Sequence, residues 1–173
     1  AVMMGFPTLK GLSRETPSTY VSVLLNQNAA LHYIDVAQEF GLAGDVCPMP
    51  EAELGVSIDD DAPILGACAV QCNTTCDGSL MSNGGIAKRL ELEDGIPIFQ
   101  LAAPLRHRED DVQDYAAQEI RNCIAFIEEK TGEKWDWKYY FECAKRVNES
   151  TRHRMEWLDM NKTDYPQIFG SNL

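Results

Sequence analysis

The chain has 173 residues, 45% hydrophobic and 24% charged, with 27 acidic side chains against 15 basic ones and a formal net charge of −12. That balance repels phosphate backbones and anionic lipid, which argues against nucleic acid and membrane surfaces as partners, and no apolar run approaches the ~20 residues of a membrane span. A chain of this length makes one ordinary domain, or one with a helical extension, and buries roughly 70% of its unfolded surface, so it folds without disulfide staples.

The apolar run "VMMGF", ahead of Pro7 and Gly11, reads as a buried strand. "AVMMGFPTLKG" lacks the basic flank and small-residue cleavage site of a signal peptide, and it has no initiator Met, as at a trimmed terminus. The expected compartment is the reducing cytoplasm, where six cysteines serve metal binding or catalysis rather than disulfides. A helix follows, with Thr16 as N-cap and Pro17 at its first position. Its apolar residues include Val21, Leu24, Leu25, Leu31, Ile34 and Ala37, and Gly41 and Gly44 stop it. "DVCPMPEAELGVSIDDDAP" holds Pro48, Pro50 and Pro63 and reads as a loop with a short helix over Glu51 to Leu54.

"PILGACAVQC", small and apolar throughout, reads as a strand buried on both faces, ending in the polar turn "NTTCDG". "SLMSNGGIAKRLELEDG" holds a short helix weakened by Gly84 and Gly85, and "IPIFQLA" is a third strand closed by Pro104. In "EDDVQDYAAQEIRNCIAFIEEKTG" the residues Val112, Tyr115, Ala116, Ile120, Cys123, Ile124 and Ile127 form one helical stripe. Acids at its start and Gly132 after its end agree with the dipole and cap rules. A last long helix begins after Asp136, an N-cap. Strands alternating with helices predict an α/β fold with a parallel sheet.

Cys68, Cys72 and Cys76 recur every four residues. On a helix that step is about 6 Å and the thiols converge; on a strand it is about 13 Å and they do not. The strand reading makes Cys68 a core residue, places Cys72 at a boundary, and leaves Cys76, in the turn, as the chemically interesting one. Open parallel sheets bind ligands beyond the carboxyl ends of their strands, where "CNTTCDG" lies. Cys47, in the loop after the first long helix, is a plausible neighbour across that crevice. Cys123 and Cys143 lie in amphipathic helices, where a cysteine is ordinarily a small buried hydrophobe. The spacing matches neither ferredoxin nor zinc-finger patterns. His32, His107 and His153 lack metal-ligand spacing and read as surface or helix-face residues, "SIDDDAP" reads as a solvated acidic loop, and "SNGGIAK" only loosely resembles a phosphate loop.

Several segments, in this order, carry a family resemblance: "AALHYIDVAQEFGLAGDVCPMPEAELG", "CNTTCDG", "GIPIFQLAAPLRH", "EEKTGEKWDW" and "YYFECAKRVNEST". Over residues 29–170 they resemble the 2-hydroxyacyl-CoA dehydratase and benzoyl-CoA reductase family, in the manner of the N-terminal half of a D-component type subunit. The resemblance implies a Rossmann-like parallel sheet with flanking helices over residues 1–132, and a helical linker over 133–173 leading toward a second α/β domain. It implies a 4Fe-4S cluster with Cys47 and Cys76 as two of its ligands, a third cysteine from the second domain, and Cys72 as a neighbour of the cluster rather than a ligand. It further implies an acyl-CoA substrate, a homologous dehydratase subunit forming a heterodimer, and an ATP-dependent iron–sulfur activator. The implied reaction is one-electron reduction of the thioester to a ketyl radical anion, which expels the 2-hydroxyl and leads to an enoyl-CoA. Two other functions fit the same family frame: an aromatic ring reductase of the benzoyl-CoA type, and a scaffold or electron-relay subunit paired with an active homologue.

Overall fold

A computed structural model describes residues 2–11, 27–59, 66–72, 76–104 and 108–166. The chain forms two compact units, one of residues 10–133 and one joining residues 1–9 to 134–173. In chain order the larger unit holds α1 (Gln27–Phe40), α2 (Pro48–Ile58), β1 (Ala69–Cys72), α3 (Asp77–Leu92), β2 (Ile98–Leu101) and α4 (Asp110–Thr131). The predicted N-cap Thr16 and Pro17 lie outside the described residues.

α1 ends as its glycine predicts. Gly41 takes a φ of +112°. Its N–H donates to the Gln38 carbonyl at 2.9 Å, and the Leu42 N–H donates to the Ala37 carbonyl at 3.0 Å. This paired closure satisfies the last carbonyls and turns the buried Leu42 side chain back to the core. α2 is longer than the predicted turn over Glu51 to Leu54. Pro48 occupies its first position and Pro50 its first turn, where no intrahelical N–H is required, so these prolines start a helix instead of marking a loop.

β1 and β2 pair in parallel, with Ala69 opposite Ile98 and Cys72 opposite Leu101, and α3 connects them. The α/β alternation agrees with expectation. The sheet of the described residues has two strands, in the order β1-β2. The expectation of a strand buried on both faces fails for β1: its side chains are half-buried, and Val70 is 42% exposed. Small apolar residues suit a strand enclosed by neighbours, but composition does not report how many neighbours there are. One face of the sheet, through Ala69 and Ile98, packs on a core of Ala37, Leu42, Leu54, Ile86, Leu90 and Ile96. One residue further along β2, Phe99 meets Phe126 of α4, with ring centroids 5.5 Å apart.

α4 begins after Glu109 and closes on Gly132 at a φ of +77°. Its buried residues are Cys123 and Ile127, whereas Tyr115 and Ile120 of the predicted stripe are exposed. In the smaller unit, "VMMGF" is not a strand; Val2–Gly5 forms one 3-10 turn. Gly5 explains the choice, because its backbone lies directly against the Trp135 indole, and its carbonyl accepts the Asp136 N–H at 2.8 Å. Phe6 meets Trp135 edge-on at 5.4 Å. α5 (Trp137–Asp159) starts on the predicted N-cap, with the Asp136 carboxylate accepting the Tyr139 N–H at 3.0 Å. No helix among the described residues is long and apolar enough to cross a membrane.

Candidate metal centre

Cys47 and Cys76, read from the sequence as residues of separate turns, occupy equivalent positions in the fold: each is the N-cap of a helix, α2 and α3 respectively. The Cys76 turn is shorter than predicted, since Asp77 and Gly78 already belong to the first turn of α3. At each cap the cysteine carbonyl accepts the first helical bond, from the Glu51 N–H at 3.4 Å and the Leu80 N–H at 3.2 Å. Neither thiol is used to cap its own helix. Cys47 is exposed and Cys76 half-buried.

Three contacts at successive levels align the two helices in parallel. At the N-terminal ends, a Cβ placed on Gly78 would lie 3.0 Å from Val46 Cγ1 and 3.2 Å from Pro50 Cγ, the residues that bracket Cys47. Two turns along α3, a Cβ on Gly85 would meet the Leu54 side chain at 2.7 Å. At the C-terminal ends, Arg89 Nε donates to the Ser57 carbonyl at 3.3 Å, a cation serving the carbonyl end of α2. Ser82, fully buried between Gly78 and Gly85, completes a face of small residues that lets α2 approach closely. Packing in this register puts the two N-termini, each capped by a cysteine, at the same end of the helix pair. The positive ends of the two helix dipoles therefore point the same way, a polarity that favours negative charge at that end.

Two further residues shape this end of the fold, and sequence reading missed both. Asn83, inside the glycine-rich stretch, donates from Nδ2 to the Cys72 carbonyl at 3.2 Å and ties the end of β1 to α3. "SNGGIAK" therefore lies within a helix, and the loose likeness to a phosphate loop is discarded. Glu51 is 2% exposed in the first turn of α2, where its Oε1 accepts a hydrogen bond from Gln38 Nε2 at 3.3 Å. An acid at a helix N-terminus is favourable, but its burial depends on α1 and could not be read locally.

The other cysteines lie elsewhere. Cys68 leads into β1 and Cys72 ends it, and the three thiols form no converging group among the described residues. Burial pushes the Cys68 thiol up, partly opposed by Lys130. Cys123, with no exposed surface, is pushed up from 9.0 to about 11, first by burial and then by the negative charge that Cys68, Glu119 and Cys72 would carry. A thiol of that kind stays neutral at neutral pH and contributes packing. Its pH signature has a definite sign. Because the folded value lies above the unfolded one, the stabilisation is complete below pH 9 and is lost as the pH rises toward 11. The stability advantage of the wild type over Cys123→Ala, measured by urea denaturation, is expected to shrink by about 2 kcal/mol between pH 8 and pH 10.5.

His32 is exposed on α1, with Nε2 2.7 Å from Asp59 Oδ2, and His153 pairs with Glu156 at 3.2 Å, both surface positions as expected. His107 lies outside the described residues. Among the described residues no group of three or more His, Cys, Asp or Glu converges to hold a metal. The two capping thiols are soft donors, of the kind that thiophilic metals select, and by themselves fall short of a complete metal site.

The family model described as 2-hydroxyglutaryl-CoA dehydratase, D-component, matches residues 9–173. The chain is 25% identical over 158 residues to the (R)-phenyllactyl-CoA dehydratase alpha subunit of Clostridium sporogenes, covering 87% of this chain and 37% of that one. It is 22% identical over 189 residues to lactoyl-CoA dehydratase subunit alpha of Anaerotignum propionicum, covering 97% of this chain and 44% of that one. It therefore spans less than half the length of these curated relatives. With a match running from residue 9 to residue 173, through both cysteine-capped helices, this chain belongs to the 2-hydroxyglutaryl-CoA dehydratase D-component family.

Proposed function

We propose that this chain is part of a component of a 2-hydroxyacyl-CoA dehydratase, in which Cys47 and Cys76 hold one side of a 4Fe-4S cluster. What supports the reading is the pair of cysteine N-caps at the same end of the packed α2 and α3 helices, in a chain of this family. A third cysteine comes from a second domain. A homologous subunit and an ATP-dependent iron–sulfur activator complete the system.

The chemistry calls for such a centre. In a 2-hydroxyacyl thioester the hydroxyl is alpha and the proton to be removed is beta, the reverse of what simple acid–base elimination requires. When bound, a low-potential cluster supplies a single electron that makes loss of the 2-hydroxyl feasible. This chain's own contribution is placement. Two thiolates anchor the group, and two aligned helix dipoles face its negative charge. Behind them, Leu54, Ile86 and Leu90 form a dry core that keeps the helices from shifting.

The test is anaerobic purification of the complete component with its partner and activator, followed by iron and sulfide analysis and assay against 2-hydroxyacyl-CoA and benzoyl-CoA. Iron, sulfide and ATP-dependent water loss from the 2-hydroxyacyl-CoA are expected. Turnover of benzoyl-CoA alone would assign the ring-reducing reaction instead, and a colourless, iron-free complex would assign a scaffold.

A further inference from the structure

We propose that Gly78 is a positioning residue for the thiol pair, the absence of a side chain there setting the separation of the Cys47 and Cys76 sulfurs. The inference rests on the cluster reading above and adds to it a residue that has no metal-binding group of its own. A side chain at position 78 would be crowded by Val46 and Pro50 and in ordinary packing contact with the Cys76 thiol. A Cβ there would lie 3.0 Å from Val46 Cγ1, 3.2 Å from Pro50 Cγ and 3.5 Å from Cys76 Sγ. The first two atoms belong to the residues bracketing Cys47, and the third is the second thiol itself.

The consequence of filling that space is directional. The C-terminal halves of α2 and α3 are tied by the Arg89 bond to the Ser57 carbonyl and by the close seating of Leu54 on Gly85. A methyl group wedged in at position 78 therefore acts at the N-terminal ends, where both cysteines are. Relieving the contact with Val46 requires movement of a few tenths of an ångström. Metal–ligand distances tolerate only about 0.2 Å, so a shift of that size matters at a metal centre although packing alone would absorb it.

Gly84 supplies the control. It lies on the same helix, yet a Cβ there meets nothing within 4 Å. Replacing either glycine with alanine favours the helix, but only the substitution at 78 introduces a wedge.

The experiment uses the complete component with its partner subunit, as wild type, Gly78→Ala, Gly84→Ala, Cys76→Ser, and the double variant Val46→Ala with Gly78→Ala. Iron release to a chelator and the Tm of the iron-free protein are followed for each. Gly78→Ala is expected to release iron about tenfold faster than wild type, the lower end of the cost of losing support around a metal ligand. Its iron-free Tm should be no lower than wild type. Gly84→Ala should behave as wild type, and trimming Val46 in the double variant should restore slow release.

Wild-type release from Gly78→Ala overturns the proposal. So does faster release that merely accompanies a lowered iron-free Tm, or that the double variant fails to correct. Cys76→Ser separates this inference from the reading beneath it. If that variant keeps its iron, the assignment of the cluster to these thiols has failed; if it loses iron while Gly78→Ala matches wild type, only the role of Gly78 falls.

Discussion

Replacing Cys47 or Cys76 with serine in the complete component is expected to remove the cluster while leaving the chain as stable as before, or more so. The two effects separate because, in the proposed function, each cysteine has two roles of opposite sign. As a ligand it supplies a soft thiolate, which a serine hydroxyl does not replace. As an N-cap it is a poor choice, with its side chain making no capping bond in either helix. Serine is among the preferred caps and stabilises a helix start by about 0.5–2 kcal/mol relative to residues that do not cap. The substitution should therefore lower iron and sulfide at least about tenfold, abolish the dehydratase assay, and leave the iron-free Tm unchanged or raised. Cys143→Ser, on α5, should retain its iron. Unchanged iron in Cys76→Ser would remove that residue from the ligand set and end the proposed function as stated.

Gly55→Ala is expected to destabilise the larger unit by about 3 kcal/mol, although it replaces a mid-helix glycine with the best helix former. Gly55 is fully packed on α2, and a Cβ there would fall inside the backbone carbonyl group of Tyr33 on α1. A backbone carbonyl cannot rotate away as a side chain can, so α1 and α2 must separate and open the core around Ala37 and Leu54. Chemical denaturation provides the measurement, with Gly84→Ala as the counterpart expected to gain about 0.5–1 kcal/mol from helix propensity alone. A neutral Gly55→Ala would show that the two helices do not touch at this point. The prediction bears on function as well, since α2, which Cys47 caps, packs on both α1 and α3.

Much of the secondary structure could be read from the chain itself, for reasons that are local. Gly41 and Gly132 end helices because only a residue without a Cβ adopts their positive φ at little cost. Asp136 starts α5 because its carboxylate reaches the Tyr139 N–H within the same turn. The stretch "IPIFQLA" could be identified as a strand from its apolar pattern. Where local reading failed, a distant partner made the choice. "VMMGF" has strand-like composition but takes a 3-10 turn because Gly5 packs under Trp135, far along the chain. Pro48 and Pro50 punctuate a loop in many sequences and here begin α2, since a helix start tolerates what a helix interior does not.

The candidate site divides along the same line. Cys47 and Cys76 stood out in sequence by their surroundings and, above all, by the resemblance of the segments around them to a family. Their equivalence as N-caps and the parallel register of α2 and α3 were decided only in three dimensions. Residue types and short-range spacing determine which groups are available and where helices begin and end, because those depend on φ, ψ and bonds within a turn. The packing of α1, α2 and α3 depends on three glycines having no side chain at points where a neighbouring segment passes, Gly55, Gly78 and Gly85. A glycine's neighbours across a helix interface leave no trace in its own sequence, so only the tertiary structure distinguishes these from Gly84, which touches nothing.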